Sequence, residues 1–429
     1  MLNLKKYQAY WVVFSAALFF LFEFINMNSF NALNDELRSY FHVNALQISN
    51  LSAMYFYANV LFLIPAGLLL DRISTKKLLQ GALLLCILSN LIFANTPYFF
   101  VAEICRFVTG MGSTLCLLSC ALLTARWFEP RRAGLVMGLV VTMAMLGGML
   151  AQQITFVAHH FDSWRMAVMI VAGLGFIFLL IISLLVRDHP LNCPYRLSQT
   201  SFLIKGHFIE NTLLTIKNKQ IWLGGLYTSF INLTVMVIGA LWGKDYLMSV
   251  QGISAEQASF VISMVFFGLI VGCPLLGWIS DRLARRKTPM IIGGLLNLAW
   301  ISLIIDFHWS YPGLMIAFFI LGVFSSSQII AYPLIMESSP PHIIASSEAL
   351  SATLIMGGGA VFQPLFGWLL DHYAPTHIYG ASAYQHAILV LPICFFIASA
   401  LACFIKETHC KRPLQMPPIA RSDQQRPSA

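Results

Sequence analysis

The chain has 429 residues, of which 58% are hydrophobic and only 10% charged, and its mean hydropathy is +0.75. Soluble domains carry roughly 25% charged residues, so this composition excludes a soluble enzyme and describes an integral membrane protein. The formal charge of +8 does not call for an acidic partner such as nucleic acid, because nearly all the basic residues lie outside the apolar runs and mostly on one side of them.

Apolar runs long enough to span a bilayer, at roughly 20 residues each, begin at 10 to 30. Here Glu23 stands mid-span, with Asn26 nearly one turn further on the same face. The run lacks a small-residue cleavage site and reads as a retained helix, not a secretory signal. The runs 47 to 70 and 78 to 94 follow, the former with Tyr55 and Asn59 one turn apart. Next, 99 to 124 sets Glu103, Arg106, Gly110 and Ser113 at helical spacing, on one face. The run 132 to 156 holds Thr142, Gly147-Gly148 and Gln152-Gln153, and 164 to 186 is plainer. Arg187 to Gln220 interrupts the pattern with Pro190, Pro194, Gly206 and five basic residues. Six more runs cover 221 to 243, 256 to 280, 288 to 307, 312 to 336, 346 to 370 and 384 to 405. Polar positions among them are Thr228, Asn232, Ser325, Gln328, Tyr332 and Gln363. The tail after Lys406 is polar and Pro-containing, the composition of a disordered segment.

Gly67-Leu68-Leu69-Leu70-Asp71-Arg72, followed by Lys76-Lys77, returns 210 residues later. It reads there as Gly277-Trp278-Ile279-Ser280-Asp281-Arg282, followed by Arg286-Lys287. The same offset carries Gly147-Gly148 onto Gly357-Gly358 and Gln153 onto Gln363. One offset held across loops and helices means two copies of one membrane unit. The expected division is 1–186 and 221–405 for two six-helix halves, 187–220 for a cytoplasmic linker and 406–429 for the tail. Paired repeats of this kind place a solute site at the repeat interface near the bilayer midplane.

With both termini inside, 22 of the 26 Lys and Arg residues fall on the inner side. That asymmetry is the positive-inside rule and predicts cytoplasmic termini. The nine cysteines show no metal or redox spacing and most lie within spans, where cysteine behaves as a small hydrophobe. No Walker glycine loop is present, so ATP drive is not supported. Neither a catalytic constellation nor a metal or cofactor site is expected. A metal at His159, His160 and Asp162 is less favoured than ordinary solvated histidines.

Gly67 to Lys77 resembles the loop signature between helices 2 and 3 of the major facilitator superfamily, with Ser74 where a second glycine is usual. Arg106-Phe107-Val108-Thr109-Gly110-Met111-Gly112 resembles its helix-4 signature. The resemblance covers essentially the whole chain. It implies an all-α fold of twelve transmembrane helices in two pseudo-symmetric halves, working by alternating access as a single chain. At finer grain, Phe22-Glu23-Phe24, Tyr55-Phe56-Tyr57, Trp127-Phe128, Trp164-Arg165 and Leu241-Trp242-Gly243 are similar to a bacterial branch related to the lysosomal dipeptide transporters. Asn26-Met27-Asn28 departs from that branch, which has a basic residue just after the helix-1 acid.

An ionisable group mid-span is costly and marks a functional site by default. Glu23 could carry a proton or hold a cationic group; the alternative is a structural bond between helices. Arg106 could clamp a carboxylate bidentately or neutralise Glu103 one turn away. Tyr55, Asn59, Gln153, Asn232, Gln328, Tyr332 and Gln363 would complete a polar cavity. Few charges in it suit a neutral or zwitterionic solute, an amino acid or short peptide before a sugar phosphate, although a nucleoside or polyol could use the Asn, Gln, Tyr and Ser groups equally well. An efflux carrier or a non-transporting sensor of the same fold are the alternatives. Gly67, Asp71, Arg72 and their counterparts Gly277, Asp281, Arg282 read as a conformational latch, since topology explains the basic residues but not two aspartates at one repeat position. Seven of the eleven histidines fall at the outer face, where an acidic exterior would charge them. The short linker and minimal loops suit a bacterial inner membrane.

Overall fold

The computed structural model describes residues 2–128, 130–161, 163–189, 208–340, 343–374 and 378–410. Asp162, His377, most of the linker and the tail beyond 410 lie outside them, as do the side chains of Asp71 and Arg72. Among the described residues there is no strand. Twelve helices are long and apolar enough to cross a membrane: α1 (Gln8–Phe41), α2 (Ala45–Gly67), α3 (Thr75–Asn95), α4 (Phe99–Thr124), α5 (Val136–His160), α6 (Trp164–Leu185), α7 (Lys219–Gln251), α8 (Ala255–Leu283), α9 (Lys287–Asp306), α10 (Tyr311–Glu337), α11 (Ser346–Tyr373) and α12 (Ala381–Phe404). In lipid each backbone N–H and C=O must be satisfied internally, and helices do this within one segment.

Helix starts are set by side-chain caps. Asn44 and Gln47 form a reciprocal capping box at α2, as do Ser254 and Gln257 at α8. Ser74 and Ser163 cap α3 and α6.

The repeat is visible in packing. A Cβ on Gly110 of α4 would lie 2.2 Å from the Tyr55 carbonyl oxygen of α2, and one on Gly322 of α10 would lie 2.1 Å from the Val265 carbonyl oxygen of α8. Only glycine permits either helix pair to approach so closely. Beyond the last helix of each half an acid caps the third helix of that half. Asp188 accepts from Ser74 Oγ and the Lys76 amide, and Glu407 from the Arg286 and Lys287 amides.

Helix α7 departs from expectation. It does not stop at 243 but runs to Gln251 through a π-helical stretch, Thr234–Trp242. The wider turns alter the usual backbone pairing, and side-chain amides from three other helices bond its carbonyls. Asn34 donates to Leu241 (3.1 Å), Gln152 to Gly239 (3.0 Å) and Gln363 to Met236 (2.6 Å). Lys244 and Asp245, which resemble loop charges in sequence, therefore lie inside a spanning helix.

The two ends of the molecule differ. At the histidine end, bonds cross between the halves: Thr155–Ser259 at 2.6 Å, His159–Glu256 at 2.5 Å, and Asp371 accepting from the Ala45 and Leu46 amides at the start of α2. Gly367 packs on Ala45 and Ser49, and Gly148 on Phe266. At the opposite, basic end, the ion pairs seen among the described residues stay within a half. Arg286 bridges Asp281 (2.6 Å) and Glu337 (2.8 Å). Burial opposes the charge on Arg286, but the bonds from Glu337 and Asp281 outweigh it and hold the guanidinium above its ordinary range. The molecule is thus sealed at the histidine end.

Candidate binding site

Glu23 and Arg106 come from α1 and α4 and are 1% and 4% exposed. They are not in ion-pair contact, and neither Glu23 oxygen has a donor at bonding geometry. The Cys86 thiol and the Arg106 guanidinium face the carboxyl. Arg106 Nη1 donates to the Asn26 carbonyl at 3.3 Å, while its Nε and Nη2 are unpartnered. Its guanidinium lies 4.0 Å from the Phe30 ring centre and 5.2 Å from that of Tyr55. Such stacking is worth about 2 kcal/mol when desolvated, and it fixes the plane of the fork. Asn26 accepts from Asn90 of α3 at 2.7 Å and keeps its own Nδ2 unpartnered.

Asn26, Phe30, Asn90 and Arg106, but not Glu23, border a cavity of about 20 Å³, lined also by Ser29 and Thr109 among others. It has room for roughly one water. It lies inside the amino-terminal half, reached by α1, α3, α4, α5 and α6, and not between the halves. Buried donors and acceptors without partners cost about 1–3 kcal/mol each, more when charged. Arg106, Asn26 and Glu23 all carry such groups.

The other expected residues divide. Tyr55 stacks on Arg106 but does not line the cavity. Asn59 is an interhelical clasp, donating to the Tyr55 and Gly110 carbonyls and to Ser113 Oγ. Glu103 is half-buried and forms no ion pair with Arg106. Gln153 is exposed, and its neighbour Gln152 points inward instead, bonding Asn31 at 2.6 Å. The cause is a turn at the α5 break between Ala151 and Ile154, which shifts the helical phase. Gln363 of α11 is fully buried against α7, Asn232 is half-buried where the π stretch begins, and Gln328 sits in a 3₁₀ turn, Ser326–Ile330. Tyr332 faces Glu348, a half-buried acid in α11 that the sequence reading passed over. Of the residues expected to form a latch, Arg282 lies over Trp278, and a Cβ on Gly67 or Gly277 would meet no atom within 4 Å. Close packing does not demand glycine at either position in this conformation.

Two further features were missed. Asn90 of α3 reaches Asn26; a lone amide in an apolar run is a weak but readable signal. At the histidine end, Lys244 is 1% exposed and lies 3.8 Å from Asp35 and 3.7 Å from Glu36, across the halves. Adjacent opposite charges after Gly243 were the visible sign.

Two repeated six-helix units, a charged centre in one and a seal between them at one end form a two-half membrane carrier. The family model of the Major Facilitator Superfamily matches residues 12–354. The chain belongs to that superfamily and is a secondary transporter by family. It is 24% identical over 335 residues to the glycerol-3-phosphate transporter of Bacillus subtilis (strain 168), covering 72% of this chain and 74% of that one. The lysosomal dipeptide transporter MFSD1 of Danio rerio is 22% identical over 354 residues, 79% and 76% of the two chains. The membrane sensor protein UhpC of Escherichia coli (strain K12) is 23% identical over 328 residues, 70% and 72%. Among solved structures, a bacterial homolog of the human lysosomal transporter Spinster, inward-facing and occupied, superposes with a TM-score of 0.73 at 14% identity, covering 93% and 97% of the chains.

Proposed function

We propose that the protein carries a small zwitterionic solute, an amino acid or short peptide, by alternating access. Arg106 takes the carboxylate and Glu23 takes the ammonium or a coupled proton. The observation behind this reading is the pair of buried, oppositely charged groups, Arg106 and Glu23, that both keep open hydrogen-bonding positions. A phosphate ester would want several basic groups, and Arg106 is the one lining the cavity. The seal at the histidine end corresponds to an inward-facing state if the basic end is cytoplasmic, as the distribution of Lys and Arg indicates. The halves would be 1–186 and 221–405, acting as a monomer in a bacterial inner membrane. In the opposite state, Asp71 and Asp281 would latch the basic end, and the free space around Gly67 and Gly277 would be taken up by the partner helices.

The test is uptake into proteoliposomes of amino acids, dipeptides, nucleosides and sugar phosphates, with and without an inward proton gradient. Saturable uptake of a zwitterion that is lost in Arg106→Lys is expected. Uptake of a sugar phosphate unaffected by Arg106→Lys would overturn the assignment. The sensor relative supplies a second reading, in which the same pair binds a solute without flux; binding by calorimetry with no uptake of any class would establish it.

A further inference from the structure

Between the halves at the histidine end lies Asp245 of α7, 3% exposed, with neither carboxyl oxygen hydrogen-bonded. The groups facing it are Lys244 on its own helix and Asp35, Glu36 and Arg38 on α1. Tyr384 of α12 also faces it, and Tyr246 follows it on α7, facing Asp306. Neither cation forms an ion pair with Asp245. The Lys244 ammonium donates to the Ala32 carbonyl at 2.9 Å and sits beside Asp35 and Glu36, and its backbone amide bonds Asn31. Successive helical side chains diverge by about 100°, so the ammonium and the neighbouring carboxyl point to different surroundings. Arg38 lies 3.9 Å from Asp35 and stacks on Tyr379 at 4.3 Å. Tyr379 in turn bonds Asp371. His159 is occupied by Glu256 at 2.5 Å and Glu36 at 3.8 Å.

Asp35, Glu36 and Asp245 thus share two cations, Lys244 and Arg38, and leave one negative charge in excess. Asp35 and Glu36 retain contact with solvent, at 47% and 27% side-chain exposure. Asp245 does not. An ionised carboxylate removed from water without a donor costs several kcal/mol, whereas its neutral form sheds most of that penalty.

We infer that Asp245 is a proton-binding site built into the seal. One proton from the histidine-side solution binds a carboxyl oxygen of Asp245 as that end closes, and leaves when opening returns the group to water. Acid on the histidine side therefore favours the sealed state, and closure is linked to proton uptake at a position separate from Glu23. The inference rests on the alternating-access reading, and its test needs no solute.

Nitroxide labels on Tyr98→Cys and His308→Cys, exposed at the histidine end of the two halves, report opening by electron–electron distance measurement. The accessible Cys403 and Cys410 are replaced by serine. The expected result is an open-to-sealed ratio that rises with pH between 5 and 8, by up to about tenfold per unit for one linked proton. Asp245→Asn, which mimics the protonated group, should stay sealed throughout, with less than about a twofold change. Asp245→Glu and His159→Gln should keep the pH response. A response that persists in Asp245→Asn, or that disappears in His159→Gln, overturns the inference. So does a wild-type ratio that is flat with pH; if a solute still shifts the distances in that case, alternating access stands without this site.

Discussion

The two halves share a scaffold and differ in chemistry. Gly110 against Tyr55 and Gly322 against Val265 are the same close approach made twice. Four residues before Gly110 stands Arg106; four before Gly322 stands Phe318, fully buried. At the offset set by the repeated loops, Glu23 corresponds to Leu233, also fully buried. The carboxy-terminal half keeps neutral polar networks, such as Tyr227 on Ser327 at 2.9 Å and Ser325 on Asn297 at 2.8 Å. Duplication accounts for how the helices pack, and divergence of a few buried positions left Glu23 and Arg106 without charged counterparts, while the buried Lys244 and Asp245 of the other half lie at the seal. On the proposed function, the amino-terminal half recognises the solute's charges and the other half supplies shape and cover.

The strongest way to break this comparison is at Arg106. Arg106→Lys retains the charge but loses the planar fork stacked between Phe30 and Tyr55. Uptake is expected to fall about 100-fold, near the 3 kcal/mol upper range for a charged hydrogen bond, with the chain still monodisperse in detergent. A variant that transports normally would remove Arg106 from the site.

The glycine pair sharpens the comparison, because it separates scaffold from site. Gly110→Ala and Gly322→Ala each drive a Cβ against a carbonyl of the neighbouring helix. Both should lower thermal stability by a similar amount, about 1–3 kcal/mol. Solute affinity should fall beyond that only in Gly110→Ala, where displacement of α4 also moves Arg106. Equal losses of affinity in both would mean that the halves share recognition.

Glu23 carries a smaller effect on a narrower property. Glu23→Gln keeps the shape but cannot change charge, so gradient-driven uptake should drop about tenfold while exchange persists. Retention of the full gradient stimulation would remove Glu23 from proton coupling.

Much of this arrangement is legible in the residues, and the exceptions have local causes. The spans and the twofold repeat are legible because lipid tolerates only long apolar helices, and because the Gly67 and Gly277 loops share one register. Glu23 and Arg106 stand out as charges in apolar runs. Lys244 and Asp245 do not, since a charged pair after Gly243 looks like a helix end; only the π stretch through Thr234–Trp242 carries them within the helix. Gln153 was the natural partner of Gln363 by offset, yet the turn after Ala151 hands the inward position to Gln152. Asn90 is a single amide whose significance depends on Asn26 facing it from another helix.

The smallest expected effect tests the shared scaffold at the basic end. Burial pushes the Glu407 carboxyl up, but the amides of Arg286, His409, Lys287 and Thr408 together outweigh it and hold the group below the usual carboxylate range. A carboxyl depressed on folding contributes stability that is fully present above its unfolded value, near 4.3, and fades as pH falls through the folded value. Glu407→Gln should therefore melt slightly below wild type at pH 7, and the gap should close as the pH is lowered below about 4. A gap that is unchanged at pH 3.5 would show that the loss is one of packing and not of charge. Asp188→Asn removes the matching clamp on α3, and a comparable loss at pH 7 is expected there, because this part of the repeat kept both its geometry and its acid.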